Sequence, residues 1–143
     1  MTPILLREIA AEHYAQVERR VFDNPWKSTA FGSDSDRLGL WLKGPDGPLG
    51  FVYGNLVLDE AELWRIAVVP DCRRQGLAGR LWDAFREACV DGGAARIFLE
   101  VRADNLPAIA FYEGKGFVLS GRRRNYYGSG VDGLSLVFTV DRS

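Results

Sequence analysis

The fold of this chain is decided by residues 62–79, which read ELWRIAVVPDCRRQGLAG. The first part of this stretch is a nearly continuous apolar run, which is typical of a strand buried on both faces. Pro70 has no N–H group to donate to a neighbouring strand, so we expect the strand to end there. A basic turn containing Gly76 follows, and we expect a helix to begin at about Gly79.

The turn between this strand and helix is suited to a phosphate or pyrophosphate. Small residues let backbone N–H groups approach a ligand where the next helix presents its positive end, and arginines add charge around it. The turn has neither the Gly-Lys-Ser/Thr ending of a Walker A loop nor a dinucleotide G-x-G-x-x-G pattern. The alternative is a helix start whose small residues only pack on the sheet. The residues concerned are Arg73, Arg74, Gln75, Gly76, Leu77, Ala78 and Gly79.

Composition predicts a single soluble domain over residues 1–143. Hydrophobic residues make up 47% of the chain and charged residues 26%, which is ordinary for a globular protein. The formal net charge is −1, so nothing global indicates nucleic acid, and residues 122–124 are better explained as a solvated charge run. We find no signal peptide and no apolar run of membrane-spanning length, and therefore expect a cytoplasmic protein.

Cysteine and histidine are too scarce to suggest a metal site. Cys72 and Cys89 are far apart in the sequence, and neither has the single histidine, His13, nearby. This pattern argues against a disulfide framework, a zinc site and a Cys–His nucleophile. We therefore expect no metal cofactor.

The order of the predicted elements is typical of a mixed α/β (α+β) domain. Periodicity and turn residues predict strands over residues 4–9, 37–43, 49–58, 62–69, 96–102, from 117 onward, and 134–140. Helices are predicted over residues 11–22, 28–31, 79 to the Gly92-Gly93 stop, and 106–115. Because a helix connects the strands at 62–69 and 96–102, these two should be parallel, whereas the three strands ending at residue 69 should be antiparallel.

The carboxyl ends of the two parallel strands should form a cleft, where open α/β sheets bind ligands. Glu100 lies near that end, on the same face as Phe98. Loss of hydration in a partly apolar cleft makes a carboxylate a stronger base, which would suit Glu100 to accept a proton from an ammonium. The alternative is a surface carboxylate paired with Arg102 or Arg65.

Two residues of the following helix are further candidates. Tyr112 carries a phenol that could protonate a leaving thiolate, or it is a core aromatic whose hydroxyl finds a solvent or backbone partner. Asn105 should cap the helix, and its side chain could also contact the amide arm of a cofactor. The two lie seven positions apart and therefore share a helix face.

Several segments resemble the GNAT N-acetyltransferases. The spacing Arg73-x-x-Gly76-x-Ala78 is similar to the acyl-CoA pyrophosphate loop of that family. NPWKSTAF, LEVRADNLPAIAFYEGKGF and RRNYY occur in the order seen in its RimI-type branch, the ribosomal-protein alanine N-acetyltransferases. The match extends from about residue 24 to residue 127. The GSGVDG segment after RRNYY departs from the branch, because it lacks the Glu-Asp or His-Glu-Asp often found there.

The resemblance implies a GNAT fold, in which helices cover both faces of a mixed, mainly antiparallel sheet of about seven strands. It implies an acetyl-CoA cleft between the fourth and fifth strands, with acetyl-CoA as cosubstrate. The acetyl group would pass by direct attack in a ternary complex to the N-terminal α-amino group of a protein, in bacteria the alanine of ribosomal protein S18. Glu100 would be the proton acceptor and Tyr112 the proton donor. The cofactor contacts would be Ile66, Ala67, Val68, Arg73, Arg74, Gln75, Gly76, Leu77, Ala78, Gly79 and Asn105.

Two other functions remain open at this point. One is a GNAT enzyme that acetylates lysine side chains or a small-molecule amine, against which the RRNYY segment argues. The other is a non-catalytic acyl-CoA-binding module, against which the presence of both Glu100 and Tyr112 argues. We expect a monomer or weak dimer that contacts neither nucleic acid directly nor a membrane.

Overall fold

The computed structural model describes residues 2–141. Its strands form one seven-stranded sheet in the order β1-β2-β3-β4-β5-β7-β6. The strands are β1 (Ile4–Leu6), β2 (Arg37–Gly44), β3 (Gly47–Val57), β4 (Glu60–Val68), β5 (Arg96–Arg102), β6 (Val118–Arg123) and β7 (Gly133–Thr139). The helices are α1 (Ala11–Val21), α2 (Leu77–Asp91) and α3 (Leu106–Gly114), with short 3-10 turns at Ser28–Ala30 and Pro70–Cys72. Neighbouring strands are antiparallel except β4 and β5, so the predicted mixed, mainly antiparallel sheet is confirmed.

Helices cover both faces of the sheet, as expected. The apolar side of α2, including Leu81 and Phe85, packs on one face together with the alternate β5 residues Ile97 and Leu99. On the other face, Tyr14 and Val17 of α1 pack against the aromatic residues of β3. α1 packs on β3 and β4, at a distance from β5 along the sheet.

β4 and β5 separate after a short parallel contact. Their pairing covers only Glu60–Glu62 with Arg96–Phe98. Just beyond, β4 contains a bulge, because Tyr53 of β3 pairs with Arg65 while Gly54 pairs with Leu63. The extra residue is Trp64, and such a bulge bends the strand that carries it. The bend leaves a gap between the carboxyl ends of the two strands.

The bulge requires a glycine on the neighbouring strand. A Cβ atom at Gly54 would lie 1.9 Å from the carbonyl oxygen of Glu62 and 3.0 Å from the Phe85 ring. Only glycine permits such a close approach of two backbones. Gly54 therefore helps to place the gap in which the site lies.

The structure corrects three of the predicted elements. β1 ends at Leu6 rather than Ile9, because the next residues leave the sheet and Glu8 accepts hydrogen bonds from Tyr14 and Trp41. The segment at 28–31 is a single 3-10 turn. α2 begins at Leu77 rather than Gly79, because Gly76 takes a left-handed conformation (φ 74°) as the N-cap. No helix within residues 2–141 has the length and apolar character needed to cross a membrane.

Candidate active site

The gap between β4 and β5 holds a cleft of about 690 Å³. One wall is the end of β4, a second is the end of β5, and α3 closes a third side. The cleft is lined by these predicted site residues: Ile66, Ala67, Val68, Arg73, Ala78, Glu100, Asn105 and Tyr112. The structure thus brings together residues that lie between positions 66 and 112 of the sequence.

The turn before α2 adjoins this cleft and forms a second cavity of about 250 Å³. The predicted residues that line it include Arg74, Gly76, Leu77 and Gly79, whereas Gln75 is exposed and lines neither cavity. The first N–H groups of α2 have no acceptor inside the helix, and no side chain caps them. Left-handed conformations at Arg74 and Gly76 add to a concave backbone that suits an anion.

Lys115 is a cation at this turn that sequence reasoning missed. A Cβ atom at Gly79 would lie 3.3 Å from Lys115 Nζ, so the end of α3 lies beside the start of α2. The ammonium lies 5.5 Å from the centre of the Phe111 ring, and both residues line the smaller cavity. The only sequence signal was a lysine at a helix end, which ordinarily indicates a favourable charge at that terminus and nothing more.

Glu100 is held by the neighbouring strands of the sheet. Ser135 lies opposite it on β7, and the Ser135 hydroxyl donates a 2.6 Å hydrogen bond to Oε1. Arg123 Nε lies 3.5 Å from the same oxygen. Both of these contacts are made by Oε1. The side chain keeps 32% of its exposure, so the cleft encloses it less than expected.

The two ion pairs considered for Glu100 are both wrong. Arg102 forms a forked pair with Asp104, at 3.1 Å for each contact. Arg65 pairs with Glu18 of α1, 47 residues earlier in the chain. The antiparallel β5–β7–β6 register instead places Arg123 next to Glu100.

Tyr112 and Asn105 share the cleft face of α3, as predicted. Tyr112 is buried and its ring meets those of Phe111 and Phe117 edge-on. Burial raises the pKa of Tyr112 to about 12, so the phenol keeps its proton at neutral pH. Asn105 is the N-cap of α3 and its Oδ1 accepts the Ala108 N–H at 3.3 Å, which confirms the predicted cap.

Comparison with known proteins identifies the family. Residues 4–117 match the model of the acetyltransferase (GNAT) family. The chain belongs to the GNAT acetyltransferase family. The predicted family and fold are therefore confirmed.

Individual relatives of this GNAT protein support the resemblance to the RimI-type branch. It is 42% identical over 114 residues to the [ribosomal protein bS18]-alanine N-acetyltransferase of Salmonella typhimurium, covering 78% of this chain and 77% of the relative. It is 29% identical over 135 residues to N-alpha-acetyltransferase 30 of Schizosaccharomyces pombe, covering 93% and 86%. The crystal structure of the Escherichia coli ribosomal-protein-S18-alanine N-acetyltransferase superposes with a TM-score of 0.90 at 30% identity, covering 99% and 96%.

The GNAT cleft has a second side, away from the turn, that sequence reasoning did not assign. It is lined by Phe22, Trp64, Arg65, Arg102 and Tyr127. The Arg102 guanidinium lies 5.2 Å from the centre of the Tyr127 ring, which keeps 39% of its exposure. The RRNYY segment was the signal for this wall, but only the folded chain shows that Tyr127 reaches the cleft.

Charge differs between the two sides of the GNAT cleft. Arg73, Arg74 and Lys115 surround the turn, which makes that side positive. Glu100 lies on the β5 wall, and the arginines away from the turn, Arg65 and Arg102, are each paired with a carboxylate. GNAT acetyltransferases use acetyl-CoA, and the positive turn fits its phosphates. Among residues 2–141, no group of three or more His, Cys, Asp or Glu side chains is arranged to hold a metal ion.

Proposed function

We propose that this protein transfers the acetyl group of acetyl-CoA to the N-terminal α-amino group of a protein, with the alanine of ribosomal protein S18 as acceptor. The observation that carries the proposal is the cleft between β4 and β5, which joins an anion-binding turn to Glu100 and Tyr112. The names of the bacterial relatives support the acceptor. We further propose that the chain acts in the cytoplasm as one domain, as a monomer or weak dimer, without direct contact with nucleic acid.

The turn and the end of β4 would hold the cosubstrate. Its pyrophosphate fits the N–H groups at the start of α2, with Arg73, Arg74 and Lys115 around them. Beyond the bulge, none of the strands described within residues 2–141 pairs with Ile66–Val68 on the β5 side, so this edge of β4 can pair with an extended amide chain. The Val68 carbonyl oxygen meanwhile accepts a 3.4 Å hydrogen bond from Arg73 Nε. When bound, acetyl-CoA supplies an acetyl thioester. The backbone N–H near Val68 would polarise the thioester carbonyl.

Glu100 is the proposed proton acceptor. Ser135 and Arg123 hold the carboxylate through Oε1, and Glu100 would take a proton from the acceptor ammonium, directly or through a water. An amine attacks a carbonyl only after losing that proton, because the ammonium has no lone pair. The deprotonated amine and the acetyl carbon would be held side by side in one cleft.

Tyr112 is the proposed proton donor. Its raised pKa keeps the hydroxyl protonated at neutral pH, so Tyr112 can donate that hydrogen to the sulfur that leaves as a thiolate. Its ring is fixed between Phe111 and Phe117, which holds the hydroxyl in one place. Asn105 lies on the same face and caps α3 through its Oδ1. Its side-chain NH2 group would contact the amide arm of the cosubstrate.

The test is an acetyl-transfer assay with two peptides. One begins Ala-Arg-Tyr-Phe with a free N-terminus, and the other has a blocked N-terminus and an internal lysine. We expect acetylation of the first peptide only, measured as product mass and free thiol. Transfer to the lysine peptide alone would contradict the proposed acceptor, and no transfer to either would contradict the proposed activity.

Two variants test the proposed roles. We expect Glu100→Gln and Tyr112→Phe each to lower kcat by about 10²-fold or more, as loss of a proton-transfer group does. Tyr126→Phe is the matched control, because Tyr126 also carries a phenol but does not line the cleft. Unchanged turnover in both test variants would refute the mechanism even if the acceptor were correct.

A further inference from the structure

A buried ion pair connects α1 to β4 beside the cleft. Glu18 has 0% exposure, and no other charged residue from 2 to 141 is classed as buried. Arg65 Nε donates to Glu18 Oε2 at 2.8 Å and Arg65 Nη2 donates to Glu18 Oε1 at 3.0 Å. A buried charge is tolerated when it is paired and hydrogen-bonded in this way. The pair therefore fixes both side chains in one geometry.

The same pair holds the chain segment that follows α1. The Arg65 guanidinium lies 3.9 Å from the centre of the Phe22 ring and 4.6 Å from that of Trp26. Glu18 Oε1 also accepts the backbone N–H of Trp26 at 2.8 Å. Residues 22–27 have no helix or strand of their own, so these side-chain contacts determine where the segment lies.

This segment forms part of the cleft wall. Phe22 and Arg65 both line the cleft, on the side away from the anion-binding turn. Arg65 keeps 22% of its side-chain exposure, so its edge reaches the cleft while its charge is neutralised behind it. A planar guanidinium can form a fork with a carboxylate and stack on rings at the same time, which a lysine ammonium cannot do.

We infer that Arg65 is a positioning residue for the acceptor. It holds Phe22, which lines the cleft, together with Trp26, which does not, so that Phe22 forms the wall against which the N-terminus of the acceptor lies. This inference rests on the proposed function, since it concerns the acceptor side of the same cleft. It predicts that loss of the fork and the ring stacking impairs acceptor binding and leaves cosubstrate binding intact, because the turn lies on the other side.

The test variant is Arg65→Lys, which keeps the positive charge opposite Glu18. We expect KM for the alanine peptide to rise about tenfold, since a charged fork and cation–π contacts are lost, while KM for acetyl-CoA stays within about twofold. Arg20→Lys is the matched control. Arg20 is likewise an ion-paired arginine, at 2.9 Å from Asp71, but it is exposed and does not line the cleft. Both KM values should stay within about twofold in the control.

Amide hydrogen exchange gives a readout that does not depend on turnover. We expect the Trp26 N–H to exchange about tenfold or more faster in Arg65→Lys than in the wild type, because its acceptor Glu18 is no longer fixed. If Arg65→Lys does not fold, Glu18→Gln removes the charge and keeps the shape, and the same split of KM values is expected.

Three results would overturn the inference. They are unchanged KM values in a folded Arg65→Lys variant, an equal rise in both KM values, or unchanged Trp26 exchange. If the wild type itself fails to acetylate the alanine peptide, the proposed function fails first, and Trp26 exchange still decides whether Arg65 holds the segment.

Discussion

Replacing Gly54 by alanine should damage both the fold and the site. The added Cβ would lie 1.9 Å from the Glu62 carbonyl oxygen, at the β4 bulge, and 3.0 Å from the Phe85 ring in the core. A backbone carbonyl inside a sheet cannot rotate away as a flexible side chain would. Either the bulge must shift its register or the two strands must separate locally.

The size of the effect follows from this geometry. Overpacking a well-packed core costs about 1–3 kcal/mol, and a clash with backbone belongs at or above the upper end. For a domain of this length, a loss of about 3 kcal/mol corresponds to a fall in Tm of about 10 °C. Because the bulge bends β4 away from β5, we also expect a higher KM for acetyl-CoA at temperatures where the variant is folded.

Thermal unfolding by circular dichroism, together with acetyl-CoA kinetics, measures both effects. Gly114→Ala is the matched control, because Gly114 lies in α3 and a Cβ there meets nothing within 4 Å. That substitution should leave Tm unchanged or raise it, since alanine favours a helix over glycine. A Gly54→Ala variant with wild-type Tm and kinetics would show that Gly54 does not determine the bulge.

Two further predictions concern the cosubstrate and the pH dependence of stability. Lys115→Ala should raise KM for acetyl-CoA several-fold and leave KM for acetyl-pantetheine, which lacks the nucleotide phosphates, unchanged; an equal rise for both would contradict a phosphate contact. The folded pKa of Tyr112 is about 12, above its ordinary value of 10.0, so its contribution to stability is full below pH 10 and is lost as the pH rises toward 12. This contribution is worth about 3 kcal/mol. Burial also raises the pKa values of Tyr14 and Cys89, so these residues add to the loss of stability at alkaline pH. Unfolding in urea between pH 8 and pH 11.5 should show a smaller alkaline loss for Tyr112→Phe than for the wild type, and an identical loss would contradict the assignment.

Local patterns predicted the elements that carry the cleft. The apolar run ending at Pro70, the alternation of β5 and the cap at Asn105 each depend on neighbours in sequence, and each is confirmed. The parallel order of β4 and β5 followed from the helix that connects them. These features could be predicted because their causes lie within a few residues.

The contacts that tune the cleft could not be predicted in this way. Ser135 meets Glu100 across 35 positions of sequence, and Arg65 meets Glu18 across 47. Both contacts depend on strand register and helix placement, which no local pattern specifies. The bulge at Trp64 was missed for the same reason, because it exists only in the pairing of two strands.

The short pairing of β4 with β5 joins two parts of the sheet. One part consists of β1–β4, and the other of β5, β7 and β6. Trp82 of α2 contacts Phe138, which belongs to the second part, and Phe117, the residue before β6. Only three residue pairs join the two parts here, and an extended cosubstrate along β4 would add contacts where the two strands have separated. A cosubstrate that binds only the folded chain would add about 2.7 kcal/mol of stability at a concentration about 100 times its Kd. The folded chain should therefore be most stable when the cosubstrate fills the gap between the two strands.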